Sequence, residues 1–157
     1  MSTIRVVWGT AAGPTKMSSY DAALADAGVH NYNLVPVSSV VPADATVESV
    51  GTAPDLGPAG QRLTVVEAAA TRAGPGHVTA GLGWTTGDGP GLFYEAAGET
   101  DAETVEERVR TGLAAGRELR DWDFADEETR TVETDAESGT YASAVVLAVY
   151  GESEPIC

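Results

Sequence analysis

Few residues in this 157-residue sequence could do chemistry, and most of them do not form working sets. His30 and His77 lie far apart, with no Cys or His at ligand spacing, so neither a zinc site nor a facial triad is expected. Cys157 stands alone and allows no internal disulfide. A Ser-His-Asp triad stays open on composition, but no G-x-S-x-G nucleophile elbow occurs. Gly87, Gly89 and Gly91 form a Gly-x-Gly-x-Gly string that leads into a strand-like segment instead of a helix N-terminus, which favours a turn over a phosphate loop. Glu106-Glu107 and Glu127-Glu128 read as solvated acidic faces. What remains is a Ser38-Ser39 pair ahead of Val40-Val41-Pro42, together with two carboxylates, Asp21 and Glu95. Taken singly, these are a turn, a helix-surface acid and a strand end.

The elements that would position them alternate along the chain. Ile4 to Gly9 reads as a strand, followed by a short helix capped at Ser18 or Ser19, carrying Asp21 and Leu24 and closing at Gly28. Tyr32 to Val37 reads as a strand with Ser38-Ser39 at its end, and Ala43 to Gly60 as a loop rich in Pro, Gly and small residues. Leu63 to Thr71 and Val78 to Thr85 suggest a hairpin around Ala73-Gly74-Pro75-Gly76. Leu92 to Ala96 suggests a buried strand. Thr100 with Glu103 is a capping-box pattern opening one long helix, about Asp101 to Asp121, with Val105, Val109, Leu113 and Leu119 mostly on one face. Strands near Thr129 to Thr134 and Thr140 to Tyr150 complete an α+β domain spanning residues 1–157, its helices covering a largely antiparallel sheet.

Charge bounds the partners. A net charge of -15, from 24 acidic against 9 basic residues, repels nucleic acid and anionic lipid. Lys16 is the sole lysine, a composition suited to concentrated salt, where screening weakens self-repulsion. No apolar run is long enough to span a bilayer, and the N-terminus shows no signal-peptide pattern, so a soluble protein in a reducing cytoplasm is expected.

The run Asn31-Tyr32-Asn33-Leu34-Val35-Pro36-Val37-Ser38-Ser39-Val40-Val41-Pro42 resembles the self-cleavage segment of pyruvoyl-dependent arginine decarboxylases. Upstream, Tyr20-Asp21-Ala22-Ala23-Leu24-Ala25-Asp26-Ala27-Gly28 resembles the first helix of that family, and downstream Gly91-Leu92-Phe93-Tyr94-Glu95-Ala96-Ala97-Gly98 resembles the segment with its catalytic glutamate. The long helix through Gly116-Arg117-Glu118-Leu119-Arg120-Asp121-Trp122 matches in position and character, whereas the resemblance fades over Ala43 to Gly60.

The resemblance implies a four-layer αββα sandwich assembled as a trimer, with active sites at subunit interfaces. It implies cleavage between Ser38 and Ser39 into chains 1–38 and 39–157, leaving a covalent pyruvoyl group made from Ser39 and no need of metal or pyridoxal phosphate. Attack of the Ser39 hydroxyl on the Ser38 carbonyl would give an ester, which a strained turn would favour, and β-elimination would follow. The resulting ketone would take arginine as a Schiff base and accept the electrons released with carbon dioxide, giving agmatine. Glu95 would return the proton, with burial helping it to hold one near neutrality. Asp21 would receive the guanidinium, with Asn33, Ser38 and Leu24 lining the same site and no cation evident near these motifs. Two other outcomes stay open: an unprocessed relative serving as a structural or binding subunit, and a pyruvoyl enzyme for another amino acid such as histidine or lysine.

Overall fold

A computed structural model describes residues 2–157. The chain runs β1 (Ser2–Gly13), α1 (Lys16–Ala27), β2 (Asn33–Pro36), β3 (Val40–Val41), β4 (Ala45–Gly51), β5 (Arg62–Ala73), β6 (Gly76–Thr86), β7 (Gly91–Gly98), α2 (Ala102–Glu118), β8 (Asp126–Ala136) and β9 (Tyr141–Glu154). The strands form a five-stranded sheet ordered β2-β5-β9-β1-β4 and a four-stranded sheet ordered β3-β7-β6-β8. All pairings are antiparallel except β1 with β4 and β2 with β5.

The pattern of β9 explains the layering. Its residues from Ala142 to Val149 are buried without a break, as a strand covered on both faces requires. Ala142, Ala144, Val146 and Ala148 face the second sheet, packing in one core with Val78, Ala80, Leu82 and Phe93. The alternate residues Val145, Leu147 and Val149 face α1, packing with Ala23, Leu24 and Ala27. On the far side Val109 and Leu113 of α2 pack with Leu92 of β7. The order is therefore α1, five-stranded sheet, four-stranded sheet, α2, the expected α+β sandwich of four layers.

Several local expectations need correction. The α1 cap is Thr15, not Ser18 or Ser19: the Thr15 hydroxyl accepts from the Ser18 N–H at 3.0 Å and the Ser18 hydroxyl accepts from the Thr15 N–H at 3.0 Å. Ser19 lies inside the helix, its hydroxyl 2.9 Å from that of Ser143. Gly28 does close the helix, at φ 81°. For α2 the cap is Asp101, whose carboxylate accepts from the Thr104 N–H at 2.7 Å; Thr100 instead lends its carbonyl to the Thr79 hydroxyl at 2.6 Å. This helix ends at Glu118, and Leu119, expected on its apolar face, is 81% exposed. Residues 43–60 are not all loop, because Ala45–Gly51 forms β4 alongside β1. Strand β1 also runs past Gly9, to Gly13.

The largest correction concerns the two segments around Gly74-Pro75. Strands β5 and β6 do not pair: β5 joins β2 and β9, whereas β6 joins β7 and β8. The turn is an arch that carries the chain from one sheet to the other, and a second arch between β8 and β9 lies against it, with the Gly74 N–H donating to the Thr140 carbonyl at 2.8 Å. The strands near 129–134 and 140–150 accordingly lie in different sheets.

Candidate active site

The link from β2 to β3 makes the same kind of crossing, and Ser38-Ser39 sits on it. On one side the Val37 N–H donates to the Val65 carbonyl at 3.0 Å, extending β2 along β5. On the other, the Phe93 N–H donates to the Ser39 carbonyl at 2.9 Å, tying Ser39 to β7. The Ser38–Ser39 peptide thus spans the two sheets with both ends anchored. Within the span the Val40 N–H donates to the Ser38 carbonyl at 2.9 Å, a three-residue turn centred on Ser39. Because no described non-glycine residue has a positive φ, this is the inverse γ form, a backbone minimum without the strain that would favour attack. The Val40 carbonyl is held in turn by the Tyr150 hydroxyl at 2.8 Å. Burial pushes that phenol up to about 12, so it stays a protonated donor.

The Ser39 hydroxyl donates to Glu95 Oε2 at 3.2 Å, bringing together two residues 56 positions apart. Strand β7 makes this possible: Val40 pairs with Leu92 and Val41 with Gly91, and β3 begins only at Val40, which leaves the edge of β7 beyond Phe93 unpaired by β3. Glu95 lies within β7, opposite Leu82, and is exposed in the single chain instead of buried at a strand end. Tyr94 beside it is 43% exposed.

Above the pair is a cavity of about 480 Å3 between β7 and the last turns of α2. Ser38, Ser39, Val40, Phe93 and Glu95 form one wall, and Gly112, Ala115, Gly116, Leu119 and Arg120 the other. Small residues make up much of its helical wall. A Cβ at Gly112 would run into the Tyr94 ring, and one at Gly116 would come within 3.0 Å of the Leu92 side chain. Glycine inside a helix costs about 1 kcal/mol relative to alanine, and here both positions are filled by side chains of β7, so the two glycines let Tyr94 and Leu92 close against the helix beside the hollow.

Arg120 was not anticipated, since no cation was expected near these motifs. Its guanidinium donates to the Gly116 carbonyl at 2.9 Å and lies 5.3 Å from the centroid of the Trp122 ring, with no carboxylate partner among the described residues. The run Thr111-Gly112-Leu113-Ala114-Ala115-Gly116 was the available signal, because a helix that alternates small and apolar residues next to an arginine suggests a lined hollow.

The other anticipated site residues lie elsewhere in the chain. Asp21 is exposed on α1, and Leu24, 7% exposed, packs beneath that helix in the cluster that includes Val7 and Val145. Asn33 begins β2, its side-chain amide donating to the Gly60 carbonyl at 2.8 Å. None of the three lines the cavity shared by Ser39 and Glu95. Among the described residues no cluster of His, Cys, Asp and Glu could hold a metal ion, and no helix is long and apolar enough to cross a membrane.

Two serines on a crossing anchored to both sheets, with a carboxylate at the second hydroxyl, form the candidate site of a two-sheet sandwich. Comparison with known proteins narrows this. The family model for pyruvoyl-dependent arginine decarboxylase matches residues 3–155. A pyruvoyl-dependent arginine decarboxylase of Halobacterium salinarum is 59% identical over 157 residues, covering 99% of this chain and 98% of that protein. Enzymes of the same name from Thermococcus sibiricus, 33% identical over 90% of this chain and 91% of theirs, and from Pyrococcus horikoshii, 36% identical over 71% and 72%, are also similar. The chain belongs to the pyruvoyl-dependent arginine decarboxylase family. The acidic composition read above suits the salt-loving source of the first of these relatives.

The residues present fit the group that gives the family its name. Ser39 would supply the atoms for a pyruvoyl group, the Phe93 N–H would hold the carbonyl adjoining the ketone, and the cavity opens beside it.

Proposed function

We propose that this chain cleaves itself between Ser38 and Ser39 and that the product decarboxylates L-arginine to agmatine and carbon dioxide. The observation that carries this reading is the Ser39 hydroxyl, held against Glu95 at 3.2 Å on a peptide anchored to both sheets. The hydroxyl oxygen attacks the Ser38 carbonyl carbon while Glu95 takes the proton, and the C–N bond breaks to leave an ester and a free amine. Loss of the Ser39 α-proton expels the carboxylate of residue 38. Tautomerisation and addition of water then release ammonia and leave the pyruvoyl group at the head of chain 39–157. Chain 1–38 stays in place, because β1 lies inside the five-stranded sheet between β9 and β4 and β2 pairs with β5.

The pyruvoyl ketone supplies an electrophile for the substrate amine and a sink for the electron pair that carbon dioxide leaves behind. The chain's own residues do the rest. Glu95 faces the reacting position and delivers a proton to the α-carbon. The Phe93 N–H polarises the carbonyl that Ser39 brings to the site. Arg120, on the opposite wall, neutralises the substrate carboxylate on entry.

Asp21, with Leu24, Asn33 and Ser38, is the site for the guanidinium in this reading. Because Asp21 lies on α1 and does not line the cavity shared by Ser39 and Glu95, a second copy of the chain must bring its Asp21 to this cavity, which accords with the trimer that the sequence resemblance implies. The second copy also covers Glu95, giving it the burial it lacks alone. The lone cysteine fits a reducing cytoplasm. The test is carbon dioxide release from arginine, lysine, histidine and aspartate by the mature protein. Release from arginine alone supports the assignment, and faster release from another amino acid replaces it. Asp21→Ala should leave cleavage unchanged and raise KM for arginine on the order of 10²-fold, as expected for a lost charged hydrogen-bond pair.

A further inference from the structure

The oxygen that must carry the charge during self-cleavage is the Ser38 carbonyl oxygen, and in the continuous chain it already has a donor. We propose that the backbone N–H of Val40, 2.9 Å from that oxygen, is the oxyanion donor for cleavage at Ser38–Ser39. The inference rests on the self-cleavage reading and adds the group that stabilises its transition state.

The geometry favours a gain that comes mainly in the transition state. The seven-membered ring of an inverse γ turn closes through a bent hydrogen bond, which is weak while the peptide is planar and neutral. When the Ser39 oxygen adds to the Ser38 carbon, the C=O bond becomes a single bond with negative charge on that same oxygen, and the N–H then points at an anion. Only an interaction that strengthens in this way lowers the barrier. The tetrahedral centre collapses by breaking the bond to the Ser39 nitrogen, which receives the proton passed through Glu95. Charge, electrons and atoms are conserved, and no cofactor takes part.

The donor is also fixed in place beforehand. Val40 pairs with Leu92 in the β3–β7 ladder, the Tyr150 hydroxyl holds its carbonyl at 2.8 Å, and the neighbouring Ser39 carbonyl is held by the Phe93 N–H at 2.9 Å. With the peptides on either side of residue 40 clamped, the N–H need not reorganise as charge develops.

The test replaces the N–H with oxygen. The full chain is made with the α-hydroxy analogue of valine at position 40, beside the same chain made with valine, and cleavage is followed by intact mass in denaturing solvent. A second variant, Val40→Pro, removes the same N–H without introducing an ester, and thermal melting shows which of the two chains is folded. Cleavage after Ser38 in the folded variant should slow on the order of 10²-fold, the usual cost of one oxyanion donor. Hydrolysis of the introduced ester would cut after Ser39 and is told apart by mass. A folded variant that cleaves at the rate of the valine chain overturns the role of Val40 while leaving self-cleavage standing. A valine chain that stays whole overturns both.

Discussion

The two helical layers of this molecule are built alike and used differently. Beneath α1, Ala23, Leu24 and Ala27 close tightly on Val7, Val145, Leu147 and Val149, and Gly9 of β1 lets the helix approach so closely that a Cβ there would strike the Ala23 carbonyl. Beneath α2 only Val105, Val109 and Leu113 are buried, and the last turns present Gly112, Ala115 and Gly116 to an open hollow. The first layer puts its apolar surface into stability. The second buries less and leaves an open hollow beside Ser39 and Glu95. A helix on a sheet can therefore be a lid or a wall, and the size of its side chains decides which.

Substitutions in each layer should separate stability from chemistry. The largest effect is expected at the wall: Ser39→Ala removes the attacking hydroxyl and should leave the chain whole indefinitely by mass, with unchanged melting. Glu95→Gln keeps a side chain of the same shape but cannot carry a proton. Cleavage should be slowed, and once completed on long incubation the product should turn over about 10²–10⁴-fold more slowly, the usual contribution of a positioned acid or base. Near-normal turnover would remove Glu95 from the reaction. At the lid, Leu24→Ala should cost about 2–5 kcal/mol, measured by chemical denaturation. Ala115→Trp, on the cavity wall, should leave stability nearly unchanged and raise KM about 10-fold or more, while a loss of stability as large as that of Leu24→Ala would erase the contrast between the layers.

The smallest expected effect joins the wall to its surroundings. His77 on β6 lies 2.6 Å from Asp135 and 2.7 Å from Glu133, and Glu133 also accepts from the Ala102 N–H at the start of α2. The hydrogen bond to Asp135 and then that to Glu133 raise the His77 pKa above its ordinary value. A raised folded-state pKa means that the contribution is fully present below the unfolded value, about 6.5, and is lost as pH rises through the higher folded value. The melting temperature should therefore fall slightly more across that window than it does for His77→Gln. The difference will be small because the cluster is largely exposed. Identical slopes would show that the clamp contributes nothing.

Much of this was legible in the sequence, for identifiable reasons. Buried strands such as Tyr141 to Tyr150 announce themselves by unbroken apolar runs, and Gly28 ends α1 because it alone adopts φ 81° without penalty. Partners were harder. Gly74-Pro75 looks like a hairpin turn, but an arch between two sheets has the same strand-turn-strand pattern, and only the sandwich determines which side each strand joins. Strand β4 hid in residues 43–60 because an edge strand paired on one side needs little apolar sequence. Ser39 and Glu95 were singled out by resemblance, whereas Arg120 and the Val40 N–H were not, since one reaches the cavity by folding back from beyond the end of α2 onto the Gly116 carbonyl and the other is a backbone group that every residue but proline carries.

The central claim is that Ser39 becomes the reactive group, and an intact mass spectrum in denaturing solvent tests it most directly, with a borohydride-treated sample beside it. The account predicts two chains, one ending at Ser38 and one beginning at a blocked residue 39 whose mass rises on reduction. A single full-length chain after prolonged incubation in concentrated salt would contradict it.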